Sequence, residues 1–317
     1  MYKSIFPSLL VVMLLALPAV VPVLAQSENA PFEIEETGHS FWRLDDAVAE
    51  LGAKPATINI QPGTYRDCAV FEDRDITLRA DRPGSVIFDG TACEGKAALV
   101  FRGKNAVVDG IIFQNMAVPD GNGAGIRLER GHLRVVNAVF RNSQQGILTA
   151  PDLKSAIVID HSTFSRLGRC DGGNACAHSL YVGDYGSLTV TNSRFEKGTG
   201  GHYLKSNAGR NNIADNSFDD SQGVATNYMI DLPSGSVGSI TGNMFVQGKN
   251  KENHSAFIAI AAENRSHRSG GLVIADNKAS LAPNVPWSTW FVADWSHEPL
   301  QIGQNALAQG IGVKQLR

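Results

Sequence analysis

The chain has 317 residues, of which 43% are hydrophobic, and it carries a formal net charge of −3. This composition is sufficient for a packed core, and the near-neutral balance excludes the basic field on which nucleic-acid binding depends. The 32 glycines and the modest 8% of aromatic residues favour many tight turns between short strands over long helices.

The first 25 residues have the pattern of a secretory signal peptide. Lys3 supplies a positive start, residues 5–23 are almost all apolar, and Val23-Leu24-Ala25 places small residues where a signal peptidase cleaves. A membrane anchor is the alternative, because the apolar stretch is long enough to span a bilayer. Its prolines and its small-residue exit favour cleavage after Ala25. We therefore expect a secreted or periplasmic protein that has no membrane association after cleavage.

Residues 26–55 are predicted to form a polar segment followed by a capping helix. Ser40 is placed as its N-cap and Gly52 as its C-cap. The apolar residues at helical spacing between them are Phe41, Leu44, Val48 and Leu51. Such a helix would cover the open end of a solenoid, where strands otherwise expose unpaired backbone groups.

From residue 56 to residue 317, short runs with period-two alternation recur, and each is typical of a β-strand. Most runs are followed by a polar turn and a phenylalanine. These phenylalanines are Phe113, Phe140, Phe164, Phe195, Phe218 and Phe245. An asparagine precedes four of them by two or three residues, at Asn137, Asn192, Asn216 and Asn243. Because neighbouring strands lie roughly 4.8 Å apart, we expect the rings to stack inside and the amides to form a ladder.

Four cysteines in an exported chain predict disulfides. Cys68 and Cys93 are 25 residues apart, about one coil, so they are expected to face each other on neighbouring turns. Cys170 and Cys176 flank a glycine-containing insertion, residues 171–175, which a disulfide would close. Metal binding is the alternative, and the lack of a C-x-x-C spacing disfavours it.

Three segments between residues 178 and 231 look like copies of one another. They are His178-Ser179-Leu180-Tyr181, His202-Tyr203-Leu204-Lys205 and Tyr228-Met229-Ile230-Asp231. In stacked coils equivalent residues lie above one another, and alternate residues of a strand face opposite sides. The aliphatic third residues are expected to point inward. The fourth residues then form an outward line of Tyr181, Lys205 and Asp231, with Ser179, Tyr203 and Met229 on the same outer face and the histidines stacked near the bend.

The opening Ile-x-Ile-x-Pro-Gly-Thr-Tyr at residues 58–65, the Asn-x-x-Phe coils and the signal peptide resemble a known group. They are similar to bacterial exported repeat proteins of the pectate-lyase-like superfamily. The resemblance covers roughly residues 56–280 and the tail more loosely. It implies an all-β fold, a single-stranded right-handed parallel β-helix, or solenoid. It does not imply one activity, because this fold carries lyases, hydrolases, epimerases and binding proteins.

The column of ionisable residues predicts a site for an acidic polysaccharide. A lyase must neutralise a uronate carboxylate, remove the C5 proton and protonate the leaving oxygen. Lys205 is a candidate base or neutraliser, His202 is the competing base, Tyr181 is the candidate acid, and His178 is a further catalytic candidate. Asp231 would raise the pKa of Lys205, which disfavours a lysine base. The expected substrate-binding residues are Asp231, Arg210, Tyr203, Tyr228, Asp184 and Tyr185.

Other interpretations stay open. A hydrolase would use Asp184 and Asp231, whose separation would decide inversion or retention, and an epimerase would return a proton to C5. The same two carboxylates are also candidates for binding a calcium ion, and whether calcium is a cofactor stays open. A non-catalytic glycan-binding protein would stack sugars on tryptophans, and the candidates are Trp287, Trp290 and Trp295. These more simply cap the C-terminal end of the core.

In the plainest interpretation, the column is a row of solvated side chains. Lys205 and Asp231 then form an ordinary ion pair, worth about 0–1 kcal/mol when exposed. The oligomeric state is open, and a monomer is slightly favoured.

Overall fold

The computed structural model describes Met1, residues 30–170 and residues 176–317. The predicted signal peptide, except for Met1, and the loop at residues 171–175 lie outside the described residues. Within the described part of the chain, no helix combines the length and apolar character that crossing a membrane requires.

The described chain is an all-β solenoid whose coils stack into three sheets, here called A, B and C. Sheet A has 12 strands in the order Ser40–Phe41, Phe32–Ile34, Ala56–Ile60, Asp75–Ala80, Asn105–Asp109, His132–Val136, Asp152–Asp160, Tyr185–Thr191, Arg210–Ala214, Val237–Thr241, Val273–Ala275 and Gln301–Ile302. Phe32–Ile34 pairs antiparallel with both of its neighbours, Ser40–Phe41 and Ala56–Ile60, and all later pairs of sheet A are parallel.

Sheets B and C contain 10 strands each, all paired in parallel. Sheet B consists of Gly63–Tyr65, Val86–Asp89, Ile111–Gln114, Val139–Ser143, Thr163–Leu167, Arg194–Glu196, Ser217–Asp219, Met244–Gln247, Lys278–Leu281 and Ala306–Leu307. Sheet C consists of Ala69–Glu72, Ala97–Arg102, Ala124–Leu128, Gln145–Thr149, Leu180–Val182, Leu204–Ser206, Ile230–Leu232, Ala256–Ile260, Thr289–Asp294 and Ile311–Leu316. The predicted parallel solenoid is confirmed, and its right-handed sense stays a prediction.

The interior is organised by an in-register stack of phenylalanine rings on sheet B. From Phe113 to Phe245 the six predicted rings stack one per coil, with centroids 4.6–5.1 Å apart. The rings are nearly parallel, and none is more than 1% exposed. Stacking of this kind adds to the burial energy of each ring, because offset aromatic pairs attract one another. The predicted stack is therefore confirmed, and it sets the register of every coil it passes through.

An asparagine ladder runs beside the phenylalanine stack, and its membership differs in part from the prediction. The amides of Asn216, Asn243, Asn277 and Asn305 bond in succession at 2.9–3.0 Å. Asn137 and Asn192 lie outside it, with left-handed φ values of 54° and 49° at an outer bend. Asparagine tolerates this conformation better than most residues. The difference arises because a residue two positions before Phe faces inward, whereas one three positions before Phe occupies the turn.

The N-terminal helix is shorter than predicted and is capped differently. It spans Leu44–Glu50, follows Arg43 and buries Leu44 and Ala47. The predicted caps Ser40 and Gly52 are wrong, because Ser40 lies in a strand and the helix ends against Leu51. The carboxylate of Asp67, from the first coil, accepts the N–H of Leu44 at 2.9 Å. A side chain distant in sequence thus supplies the missing cap, and the helix's role in closing the solenoid stays a prediction.

Both predicted disulfides are present. Cys68 bonds to Cys93 and Cys170 bonds to Cys176. The first joins neighbouring coils, and the second closes the insertion, as their spacing indicated.

The ladder gives a test of the fold. Asn243→Ala removes an amide that is fully buried and donates to Ile213 O, Thr241 O and Asn277 Oδ1. We expect a loss of about 3 kcal/mol in unfolding free energy, because several buried polar groups lose partners. Asn305→Ala, at the partly exposed end of the ladder, is the matched control and should cost about 1 kcal/mol. Urea unfolding measures both, and equal losses would contradict a continuous ladder.

Candidate active site

The predicted outward column exists. On sheet C, Tyr181 pairs with Lys205 and Lys205 with Asp231, while Leu180, Leu204 and Ile230 are fully buried in the core. The same register extends the column by two coils toward the N-terminus, through Leu148 and Arg127. The ionisable residues are therefore held on short, rigid strands.

A row of stacked rings runs alongside this column. The ring centroids of His178 and His202 are 4.8 Å apart, and those of His202 and Tyr228 are 5.6 Å apart. The Nδ1 atom of His178 accepts the backbone N–H of His202 at 2.9 Å, which assigns the neutral ring's proton to Nε2. The rings of His178 and Tyr181 are nearly perpendicular, with centroids 5.2 Å apart. The two histidines thus pack as a unit directly beside the column.

The second residue of each segment points inward, contrary to the prediction. Ser179, Tyr203 and Met229 are at most 2% exposed. They precede the short strands, so strand alternation does not extend to them. In the preceding coil this position is Gly146, where a Cβ would lie 2.8 Å from the Phe164 ring. An outer-face role for Tyr203 is therefore wrong.

Tyr203 instead anchors a buried polar network behind the site. Its hydroxyl group donates a hydrogen bond to Asp220 Oδ1 at 2.7 Å, and its oxygen accepts one from the N–H of Gly198. Thr226 Oγ1 donates to the same oxygen, and the fully buried Lys251 lies 3.1 Å from Asp220 Oδ2. The paired charges and their hydrogen bonds offset the cost of burying this ion pair. The network gives the histidine row a firm support.

Lys205 lies between two carboxylates. Its Nζ is 3.6 Å from Asp231 Oδ2 and 2.6 Å from Glu263 Oε1, and it lies 5.7 Å from the centre of the Tyr181 ring. Burial acts to lower the pKa of Lys205, but the two carboxylates and the phenol outweigh it and raise the pKa. Lys205 is thus a cation at neutral pH, which removes it as a base and supports a role in binding negative charge.

Asp231 is the unusual acid of the site. Its side chain is only 5% exposed, and burial raises its pKa to about 7, assisted by the nearby Glu263 and opposed by Lys205. Its Oδ2 atom is 3.4 Å from His202 Nε2. Asp231 is therefore able to change its charge near neutral pH. Its ionised carboxylate can stabilise a proton on Lys205 or on His202.

Both histidines are kept neutral by their surroundings. Burial lowers the pKa of His178 to about 3, and the charge of Lys205 adds to the effect. Burial, His178 and Lys205 lower the pKa of His202 well below its usual value. The Nδ1 of His202 and the Oδ1 of Asp231 are buried and have no hydrogen-bond partner in the described structure. Such atoms are rare in folded proteins and point to a function.

The N-terminal part of the column borders a cleft of 540 Å³ on the surface of sheet C, whereas Lys205, His202 and Asp231 are not among its lining residues. Leu148 and Tyr181 lie in this cleft, and Arg127 and Asn122 line the part nearer the N-terminus. Glu263, Asn264 and Ser266, from the segment that follows the strand Ala256–Ile260, line it nearer the C-terminus. Apolar atoms between polar groups suit a sugar chain, which has apolar faces and hydroxyl edges.

The remaining predicted site residues are spread more widely. Asp184 lines the cleft but bonds to His267 Nε2 at 2.7 Å, and Tyr228 stacks on His202 with its hydroxyl 3.4 Å from Ser255 Oγ. Arg210 is exposed at the start of a sheet A strand and is not among the cleft residues. Tyr185 is fully buried and donates to Gly131 O at 3.2 Å, so its predicted contact with substrate is wrong.

The three predicted tryptophans, Trp287, Trp290 and Trp295, lie at the last coils and outside the core cluster, Trp290 exposed and the other two half-buried. Trp287 stacks on His254 with centroids 4.3 Å apart, and Trp290 is 37% exposed. No tryptophan belongs to the core cluster of the described residues, so the predicted core cap is wrong. The two carboxylates suggested as calcium ligands have other partners. Asp184 contacts His267, and Asp231 contacts Lys205 and His202. In the described chain, the one group of three potential metal ligands is Cys170, Cys176 and Glu252, whose cysteines form a disulfide.

Four site residues escaped the sequence analysis. Arg127 and Gln145 occupy the same coil positions as Lys205 and His202, so continuing the repeat register toward the N-terminus would have found them. Glu263 and His267 follow the strand Ala256–Ile260, outside the repeated pattern, and no local signal marks them.

No protein-family model matches the chain, and no curated protein matches its sequence. Solved structures are similar in fold. ORF18 of Geobacillus virus E2 has a TM-score of 0.55 and 12% identity, and the match covers 86% of this chain and 56% of that one. The PL6 family alginate lyase AlyGC has a TM-score of 0.48 and 15% identity, and the match covers 83% of this chain and 38% of the lyase. Pectate lyase Pel9A has a TM-score of 0.46 and 13% identity, and the match covers 84% of this chain and 73% of the lyase.

The chain thus spans little more than half of the first of these structures and less than half of the second. At such identities a likeness shows fold alone. The parallel β-helix fold that the sequence resemblance implied is confirmed.

The raised pKa of Asp231 predicts how stability depends on pH. The unfolded chain loses this proton near pH 4, whereas the folded chain keeps it to about pH 7. Folded Asp231 therefore binds more protons over this range, and its contribution to unfolding free energy falls as pH rises. Asp231→Asn removes the effect. Relative to wild type, the variant should gain on the order of 4 kcal/mol between pH 4 and pH 8. Denaturant unfolding across this range measures it, and a pH-independent difference would refute it.

Proposed function

We propose that this protein is an exported carbohydrate-active enzyme that cleaves an acidic, uronate-containing polysaccharide by β-elimination. The sugar chain lies in the cleft over Leu148 and Tyr181. Export follows from the predicted signal peptide and fits the two disulfides, which form in oxidising compartments. The scaffold would be the right-handed form of the parallel β-helix.

In this mechanism Lys205 neutralises the uronate carboxylate, which acidifies the C5 proton. His202 accepts that proton, and Asp231, 3.4 Å away, stabilises the imidazolium that forms. The C5–H electrons form the C4–C5 double bond, the C4–O bond breaks, and the Tyr181 hydroxyl gives its proton to the leaving oxygen. Glu263 must first give up Lys205 to the substrate, and its 53% exposed side chain leaves it free to move.

One observation supports this proposal most strongly: a protonated lysine, a neutral histidine and a carboxyl with a pKa of about 7 are packed together beside an open cleft. An ordinary exposed ion pair needs neither the burial nor the unpartnered atoms on His202 and Asp231. Proton transfer between groups so poised is the usual use of perturbed pKa values.

A hydrolase is the second candidate, and the structure changes its carboxylates from the predicted pair. Asp231 and Glu263 both lie within 3.6 Å of Lys205 Nζ, one buried with a raised pKa and the other exposed. A protonated acid facing an accessible carboxylate is the arrangement that glycoside hydrolysis uses. Asp184, bonded to His267, is less available for this role.

The test is the ultraviolet absorbance of the 4,5-unsaturated uronate that β-elimination produces. The purified protein is incubated with alginate, pectate, glucuronan and hyaluronan, each with and without calcium. We expect absorbance to rise with at least one polymer. Lys205→Ala, His202→Ala and Tyr181→Phe should each lower the rate roughly 100-fold or more, because each removes an acid, a base or a charge in the transition state.

Lys249→Ala is the control and should keep the wild-type rate, because this exposed lysine follows a sheet B strand and lies outside both the column on sheet C and the cleft. Flat absorbance with new reducing ends would replace elimination by hydrolysis through Asp231 and Glu263. Flat absorbance without new ends would leave epimerisation or simple binding, and exchange of the C5 proton followed by NMR separates these two.

A further inference from the structure

Buried polar atoms without partners are concentrated on the outer side of sheet C. Within residues 30–170 and 176–317, seven buried side-chain nitrogen or oxygen atoms lack a hydrogen-bond partner. Two belong to His202 and Asp231 at the proposed catalytic centre. Two more, Arg127 Nε and Gln145 Oε1, lie nearer the N-terminus and have no part in the elimination step. Leaving such groups unpaired costs free energy, so their clustering calls for a ligand.

Arg127 and Gln145 are the counterparts of the catalytic residues in earlier coils. Arg127 stands in the same column as Tyr181 and Lys205, two strands before the tyrosine and three before the lysine. Gln145 stands in the row of His178 and His202. With strands about 4.8 Å apart, the two cations are separated by roughly 14 Å along the solenoid. A single sugar cannot reach both, whereas a short oligosaccharide can.

The polar groups near Arg127 are built into the fold, and two of the three residues line the cleft. Gln145 is 1% exposed, and its Nε2 donates to Asn122 Oδ1 at 2.8 Å, while Asn122 and Arg127 both line the cleft. The amide is thus held in place with its oxygen unpaired. Gln145 itself does not line the cleft, so its amide acts by positioning Asn122, whose side chain lies in the cleft lining with Arg127.

The charge of Arg127 is not fully compensated by its neighbours. Its Nε is 3.9 Å from Glu129 Oε1, beyond hydrogen-bond distance. That carboxylate already accepts Lys96 Nζ at 2.8 Å and pairs with Arg102. Two other cations therefore share Glu129, and the guanidinium keeps donors for an anion that enters the cleft. Its planar fork matches a carboxylate in two parallel hydrogen bonds.

We infer that Arg127, with Gln145 and Asn122, forms a second carboxylate-binding subsite of the cleft. The substrate then carries acidic groups on at least two sugars of one chain, one at Lys205 and one at Arg127, with Leu148 and Tyr181 under the sugars between them. This inference rests on the proposed acidic glycan and narrows it from a single uronate to a polyuronate segment. The subsite selects chain length and charge pattern, and it does not take part in bond breaking.

Calorimetric titration tests the subsite in a Tyr181→Phe background, which slows turnover and keeps the aromatic ring. The ligands are a uronate monomer and the matching hexamer, prepared from whichever polymer the protein processes or binds. Arg127→Gln should weaken hexamer binding roughly tenfold to a hundredfold and leave monomer binding unchanged, because only the hexamer reaches the second cation. Gln145→Leu should weaken hexamer binding several-fold.

Arg134→Gln, an exposed arginine on sheet A, is the matched control and should bind the hexamer like the parent. Arg127→Lys keeps the positive charge but lacks the planar guanidinium, so its hexamer affinity should lie between those of the parent and Arg127→Gln. Thermal melting verifies that each variant is folded. If Arg127→Gln binds the hexamer normally while Lys205→Gln does not, the subsite is refuted and the proposed function stands. Equal losses for monomer and hexamer also refute it. If neither substitution weakens binding, the proposed function fails as well.

Discussion

Every feature of this protein depends on coils that stack in strict register. A parallel ladder shifted by one residue would turn each inward side chain outward, so the register has to be set from within. The phenylalanine stack and the asparagine ladder do this together, because a ring or an amide finds its partner only at the same position of the next coil. The apolar stack contributes burial energy, and the amides add a directional requirement that hydrophobic contact lacks.

The same register that orders the interior also concentrates function outside. Residues that are 24 and 26 apart in the chain become neighbours on sheet C, so each coil adds one side chain to a continuous surface. Three ionisable groups in such a row would be separated by water on an ordinary surface. Here the stacked rings of His178, His202 and Tyr228 cover one side of the row and exclude solvent. The resulting low polarity is what raises the pKa of Asp231 and keeps the histidines neutral.

Burying this much charge is costly, and the fold compensates for the cost behind the row but only partly within it. Behind the row, Asp220 and Lys251 form a pair whose polar atoms are well supplied with hydrogen bonds, and this network holds the turns that precede the short strands. Within the row, the pairing is left incomplete at His202 and Asp231. The fully hydrogen-bonded network around Asp220 and Lys251 makes the site rigid. The unpaired atoms of His202 and Asp231 remain available to bind a ligand.

The sequence by itself determined the solenoid, the phenylalanine stack, both disulfides and the outward line of Tyr181, Lys205 and Asp231. These features follow from periodic patterns, and in a stacked fold a period along the chain becomes a contact in space. Only the tertiary structure decided that Tyr203 faces inward, that Asn137 and Asn192 stand at turns, and that Glu263 and His267 reach the site. The first two depend on where a short strand begins, which alternation alone does not specify. The last two depend on contacts across 58 and 83 residues made from outside the repeat, and no local pattern encodes such a contact.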